Sequence, residues 1–268
     1  MDIIQQYYSE HKSVFEENFD KALNNFDAEA IHKMRTSTKR LRALFRLIQF
    51  LSPGKFKAKK QLKKLRNLFR YAGKIREIQV EEMLVYELEE KLDQNFVEYS
   101  EYLLIREHRE IARFLKSIPK LSEQKKILND EYILKTIKSI KSESLSENAK
   151  KFLTKKILSI KKLNSKPVSN ARIHRNRTFL KQIYYLYDIL LNLTGQEEIM
   201  NVSKETMREI EQQIGHWHDK VNSFHYLNAF FKTKNGKKTE KYKNLKYQII
   251  TDRNKMRKEI VQILRTFV

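Results

Sequence analysis

The sequence has no cysteine, five glycines and three prolines in 268 residues. Without cysteine there are no disulfides, no thiolate nucleophile and no cysteine zinc site. So few glycines and prolines leave few turns, which favours long helices. No stretch approaches the roughly 18 uncharged apolar residues of a membrane helix, so membrane insertion is not expected. Met1 to Glu10 is polar and carries no apolar run of the kind a secretory signal uses. A soluble cytoplasmic protein is the expectation. Acid is scarce too: 33 Asp and Glu stand against 55 Lys and Arg, a formal net charge of +22. A compact fold with that excess repels itself, so an anionic partner is expected to offset it. Nucleic acid, an acidic membrane surface or another polyanion would serve, and charge alone does not choose among them.

Aromatic residues are plentiful. Fifteen Phe and thirteen Tyr exclude an intrinsically disordered chain. Helical periodicity dominates. Ile31, Met34, Leu41, Leu44, Phe45 and Ile48 recur at spacings that mark one stripe of a helix over Ile31–Phe50. Asp27 is placed to cap that helix and Pro53–Gly54 to stop it. Lys55–Ala72, Ile78–Leu92, Phe96–Ser117 and Glu123–Lys141 read as helices, with Pro119 separating the last two. Lys150–Leu163, Ala171–Leu193, Val202–Ile214, His218–Phe231 and Lys238–Phe267 complete the set. No convincing strand alternation appears.

A shift of 142 residues brings two separate segments into register at once. Ile31, His32, Arg35, Thr36 and Lys39 fall on Ile173, His174, Arg177, Thr178 and Lys181. Arg66 falls on Arg208, Leu68 on Ile210, Gly73 on Gly215 and Glu77 on Asp219. Helical periodicity alone reproduces apolar positions, not a rare His and a rare Gly. Two similar halves are expected, roughly 1–143 and 144–268, within one domain spanning 1–268.

His32, Arg35, Lys39, Arg42 and Arg46 lie at i, i+3, i+7, i+10 and i+14, along one helix face. The row is about 21 Å long at roughly 1.5 Å per residue. Like charges stacked in this way destabilise a helix unless something answers them. A merely solvated face has no need to repeat its residue identities, yet His174, Arg177 and Lys181 repeat the first three. The row therefore reads as an anion-binding surface bordering the buried stripe.

IHKMRTSTKRLRALFRL resembles the signature of the CHAD family (conserved histidine alpha-helical domain), and ARIHRNRTFLKQIYYLYDI looks like a second copy. LRNLFRYAGKIREIQV and IEQQIGHWHDKVNSF resemble the family's partner helices, in which a Gly turn precedes Arg-Asp or His-Asp. The resemblance implies an all-α fold: two helical bundles of about four long helices each, related by a pseudo-twofold axis around a basic central cavity. It also implies a binding module for inorganic polyphosphate and not an enzyme, with polyphosphate granules as a destination. Carried over residue by residue, it covers His32, Arg35, Lys39, Arg40 and Arg42, then His174, Arg177 and Lys181. In the partner helices it covers Arg66, Arg76, Arg208 and His218. Arg46 joins through the row itself. Glu77 replaces the usual Asp, while Asp219 keeps it. Gln182 and Tyr184 stand where the first copy has Arg40 and Arg42, so the second half is expected to hold an anion less tightly.

Polyphosphate is a flexible polyanion without bases, so closely spaced cations suffice to bind it. Arg offers forked hydrogen bonds to phosphate oxygens, and Lys offers point charges. The reading needs no cofactor, no metal and no catalytic residue. His216 and His218 lie two apart and point away from each other on a helix, which argues against a metal site. His11, His108 and His225 read as surface or packing residues. Glu77 and Asp219 read as carboxylates that orient the basic rows. The run Lys232–Arg257, with Tyr242 and Tyr247 interleaved, reads as a solvated face. A helical nucleic-acid-binding protein is the alternative, with nucleic acid otherwise the weaker polyanion. The oligomeric state is left open.

Overall fold

The structure is a computed structural model, and it describes residues 2–117, 127–165, 167–199 and 201–266. Among the described residues it contains eleven helices and no strand. In the first half these are α1 (Asp2–Asn25), α2 (Ala28–Leu51), the single turn α3 (Ala58–Gln61), α4 (Lys63–Leu92), α5 (Val97–Ser117) and α6 (Asp130–Lys138). The second half holds α7 (Leu145–Asn164), α8 (Asn170–Tyr185), α9 (Tyr187–Thr194), α10 (Lys204–Phe230) and α11 (Glu240–Thr266).

The sequence repeat is also a repeat of helices. Ala28 and Asn170, which open α2 and α8, are 142 apart, and Lys63 and Lys204, which open α4 and α10, are 141 apart. The starts of α1 and α7, Asp2 and Leu145, are 143 apart, as are Val97 and Glu240 at the starts of α5 and α11. Packing repeats too. Helix α2 packs on α1 and α4, and α8 packs on α7 and α10. The α4–α5 hairpin has its counterpart in α10–α11. Contacts between the halves run through α2 with α7 and α8, and through α4 with α10.

Local chemistry sets the ends. Asp27 caps α2 as expected, its carboxylate accepting from the Ala30 N–H at 2.6 Å. Gly54, just beyond α2, takes φ of 80°, a left-handed conformation that glycine adopts without strain. Ser169 and Ser203 cap α8 and α10 through their hydroxyls. The stripe read from the sequence is the core face of α2: Ile31, Met34, Leu41, Leu44, Phe45 and Ile48 are all buried. They belong to one large cluster, and a second forms where α4–α5 meets α10–α11, around Tyr99, Leu103, Phe230 and Tyr242.

Four expectations are corrected. No helix was expected before Ile31, yet α1 is 24 residues long. Its buried positions Ile4, Tyr8, His11, Phe15, Asn18 and Ala22 follow a heptad, but two of the six are polar and hide the stripe. Gly73 and Gly215 make no turn, because α4 and α10 run straight through them. The span Ala171–Leu193 is broken at Leu186 into α8 and α9. The freed carbonyl of Tyr185 accepts from the Tyr7 hydroxyl at 2.5 Å, tying the break to α1. Helix α3 and the start of α4 divide the expected Lys55–Ala72 segment. Pro119 and the first residues of the expected Glu123–Lys141 helix lie outside the described residues, as does Phe267.

Candidate functional site: a seam of unmatched cations

The basic row of α2 flanks its buried stripe. His32 is exposed, while Arg35, Lys39, Arg40, Arg42 and Arg46 are half-buried. Helices α4 and α10 present matching faces. Arg66, Phe69, Gly73 and Arg76 stand at i, i+3, i+7 and i+10, as do Arg208, Glu211, Gly215 and His218.

The repeated Arg and the repeated Gly explain each other. A Cβ on Gly73 would lie 2.6 Å from Nη1 of Arg35, and one on Gly215 would lie 3.4 Å from Nη2 of Arg177. Each glycine leaves room for a guanidinium to lie flat on the partner helix. From that position Arg35 Nη1 donates to the Phe69 carbonyl at 2.7 Å. Its guanidinium lies 4.3 Å from the centre of the Phe69 ring, and that of Arg42 lies 5.2 Å from the same ring.

The two basic rows meet at the seam. Burial pushes the Lys39 ammonium down to about 7, and Lys181, Arg35 and Arg177 push it the same way, with Glu211 opposing. Lys39 and Lys181 are repeat equivalents, 142 apart, and they repel each other across the seam. Another equivalent pair, Glu81 and Ser223, is in contact: the Ser223 hydroxyl donates to Glu81 Oε2 at 2.5 Å, in the buried wall beneath. Burial also lowers Arg35 to about 10, reinforced by Arg76 and Arg42 against the pull of Glu77. Lys181 is lowered by burial and then by Arg177, with Glu211 and Asp219 opposing. Burial is the first cause of each of these shifts, and on Lys39 and Lys181 the neighbouring cations add to it before any carboxylate opposes.

The histidines follow the same repeat. His32 is lowered by crowding from the surrounding protein and then by Arg76 and Lys39, although its surface is largely open. Arg76 and His218 are repeat equivalents, and the His174 ring lies 5.3 Å from that of His218. Burial, then Arg177 and His174, push His218 down to about 4. Burial raises Asp219 against the opposing pull of Arg177, His216, Lys181 and Arg76. Glu77 hydrogen-bonds Lys74 at 2.8 Å and also acts on Arg35. Among the described residues, no group of three His, Asp or Glu is placed to hold a metal ion.

The copies differ more than the sequence motifs suggest. Glu211 is the repeat equivalent of Phe69. In the first half Arg35 stacks on an uncharged ring. In the second, Glu211 Oε1 lies 2.7 Å from Lys181 Nζ and 3.5 Å from Arg177 Nε. Arg40 faces α1 and the α8 end, where its charge acts on Tyr7, His11 and Tyr185. Arg66 and Arg208 lie exposed, two turns before the glycines on the same faces.

Sequence reading missed Glu211 and two lysines of α7. Lys156 sits over the Phe152 and Phe179 rings at 5.2 and 5.5 Å and donates to Gln182 Oε1 at 2.8 Å. Burial, then Arg46 and Lys155, lower it to about 8. The row on α2 therefore continues past Arg46 onto α7. These lysines carry no repeat signal, since Val14 occupies the position equivalent to Lys156.

The site thus gathers Arg, Lys and His from α2, α4, α8 and α10 with few carboxylates among them. It is equipped to hold an anion with many oxygens, by charge and by hydrogen-bond donation. In comparisons with known proteins, the profile of the CHAD domain matches residues 6–225. No curated protein sequence matches the chain significantly. A solved structure, the crystal structure of the CHAD domain from the plant Ricinus communis, shares the fold at 15% identity and a TM-score of 0.72. The match covers 97% of this chain and 88% of that one. With its profile match over most of its length and the same fold, this chain belongs to the CHAD domain family.

Proposed function

We propose that the chain binds inorganic polyphosphate along this seam, without catalysis, and that binding carries it to polyphosphate granules in the cytoplasm. The whole chain acts as one unit. Its halves, 1–143 and 144–268, face each other across a near-twofold axis between α2–α4 and α8–α10. The observation that carries the reading is the gathering of Arg35, Lys39, Arg177 and Lys181 from the two halves, near enough for their charges to act together on Lys39, with Glu211 alone among the described residues at ion-pair distance from two of them. Free, such a cluster is strained by its own repulsion. A linear polyanion relieves that strain at every phosphate it lays down. The row from Arg35 through Lys39, Arg42 and Arg46 to Lys156 suits a ligand with evenly spaced charges along its length. The Phe69 ring beside it is already covered by Arg35 and Arg42, which leaves it poorly placed to stack on a base.

A competition experiment tests this reading. Long-chain polyphosphate should displace labelled ligand at a lower phosphate concentration than duplex DNA does, near physiological salt. Equal or better competition by DNA would replace polyphosphate with nucleic acid as the partner. Binding should weaken as salt rises, because each neutralised phosphate releases counterions.

A further inference from the structure

Glu211 is a carboxylate where the other half of the molecule has a phenyl ring. It is 9% exposed, and its Oε1 lies 2.7 Å from the Lys181 ammonium. The same oxygen lies 3.5 Å from Arg177 Nε, which is buried and has no hydrogen-bond partner of its own. Arg177 is therefore held at ion-pair distance without being satisfied. In the first half Phe69 stands at the equivalent position, and among the described residues no carboxylate lies at ion-pair distance from Arg35 or Lys39, although Glu77 and Glu211 act on them from farther away; Arg35 instead donates to the Phe69 carbonyl.

We propose that Glu211 is a built-in counter-anion that sets the protein's selectivity for long over short polyphosphate. The proposal rests on the polyphosphate reading above. A tethered carboxylate competes at an effective concentration in the millimolar range or higher. A short phosphate arriving from dilute solution cannot displace it, and finds only the first half open. A long chain anchored on Arg35 and Lys39 presents its next phosphates at a comparable local concentration. It therefore takes Lys181 and Arg177 from Glu211 as it crosses the seam. The first half captures any oligophosphate, and the second rewards length.

The test compares wild type with Glu211→Gln and Glu211→Phe, the second of which rebuilds the first half's arrangement. Titrations use tripolyphosphate and long-chain polyphosphate, with thermal melts confirming the fold. Tripolyphosphate should bind the variants about tenfold tighter, the worth of roughly one charge-assisted contact. Long polyphosphate should gain clearly less, so the long-over-short preference narrows. Unchanged affinities, weaker binding, or an equal gain for both ligands would overturn the proposal.

Should both variants fail to fold, the reverse exchange decides. Phe69→Glu gives Arg35 and Lys39 a competitor. It should weaken tripolyphosphate more than long polyphosphate, and an equal loss or none would overturn the proposal. The two claims can fail separately. If wild type binds no polyphosphate, the proposed function falls. A variant that then gains tripolyphosphate binding would still uphold the role of Glu211, and one that does not would end both.

Discussion

Polyphosphate binding should draw in protons, and Lys39 makes the effect measurable. In the free protein its ammonium is lowered from 10.5 to about 7, first by burial and then by Lys181, Arg35 and Arg177. Each unit of that depression is about 1.4 kcal/mol of unfavourable charging. Its folded pKa is below its unfolded value, so between about 7 and 10.5 the unfolded state holds more protons. Stability therefore rises with pH across this window, and below it the full penalty of a buried cation is present. Lys39→Met should remove a penalty on the order of a few kcal/mol at pH 7, and the gain in melting temperature should shrink toward pH 10. A phosphate beside Lys39 reverses the depression. At pH 8 the free lysine is roughly one-tenth protonated, and the bound one is charged, an uptake of about 0.9 proton. Lys181 and Lys156 are depressed as well and add to the total where the ligand reaches them. Calorimetry at pH 8 in two buffers of different ionisation enthalpy reads the uptake directly. Wild type should take up close to one proton or more, and Lys39→Met clearly less. Zero uptake, or the same uptake in both proteins, would refute the reasoning.

Other outcomes follow from the same geometry. Gly73→Ala should stabilise α4 by about 1 kcal/mol on helix propensity alone. It should also weaken polyphosphate binding three- to tenfold or so by pushing Arg35 out of its seat, since the new Cβ meets Nη1 at 2.6 Å. Gly215→Ala, with 3.4 Å of clearance, should affect binding less, and titrations with paired melts separate the two effects. Lys156→Met should raise the melting temperature by relieving repulsion from Arg46 while keeping the stem on Phe152 and Phe179. It should also lower the salt dependence of long-chain binding by about 0.7 in slope, the worth of one neutralised phosphate on a single strand.

The strongest sequence signal was the repeat, because it preserved residue identities and not only polarity. Arg35 with Gly73 and Arg177 with Gly215 recur together because a guanidinium in each half lies against a helix that has no side chain there. The shift of 142 shows that both residues recur but not that they touch, and in the sequence the glycine reads as a turn, since a helical glycine serving close approach looks the same as a helix stop. Helix α1 escaped notice because His11 and Asn18 occupy two of its buried heptad positions. Burial lowers His11 to about 4, with Arg40 adding to the effect, so it sits there as a neutral ring. Glu211 was invisible for the opposite reason. It stands at a repeated position with a non-repeated residue, and motif matching looks only for agreement. Lys156 joined the cation row from α7 without a repeat signal, since Val14 stands at the equivalent position in α1. A weaker second half is expected from Gln182 and Tyr184, and the contacts of Glu211 with Lys181 and Arg177 are a further reason to expect it.

Titration of long-chain polyphosphate into wild type and two double variants tests the central claim most directly. Arg35→Ala with Arg42→Ala removes both guanidinium groups over Phe69, and Arg177→Ala with Tyr184→Ala removes their counterparts in the second half. Charge-assisted contacts are worth roughly 1.5–3 kcal/mol each. The first pair should therefore weaken binding at least about tenfold, and the second pair should weaken it less, because Arg177 already shares Glu211 with Lys181. Melting temperatures of the free proteins should hold near the wild-type value, since each variant removes like charge from a crowded seam. A first pair that leaves binding unchanged in a folded protein would show the row on α2 to be a solvated face, and would contradict the account.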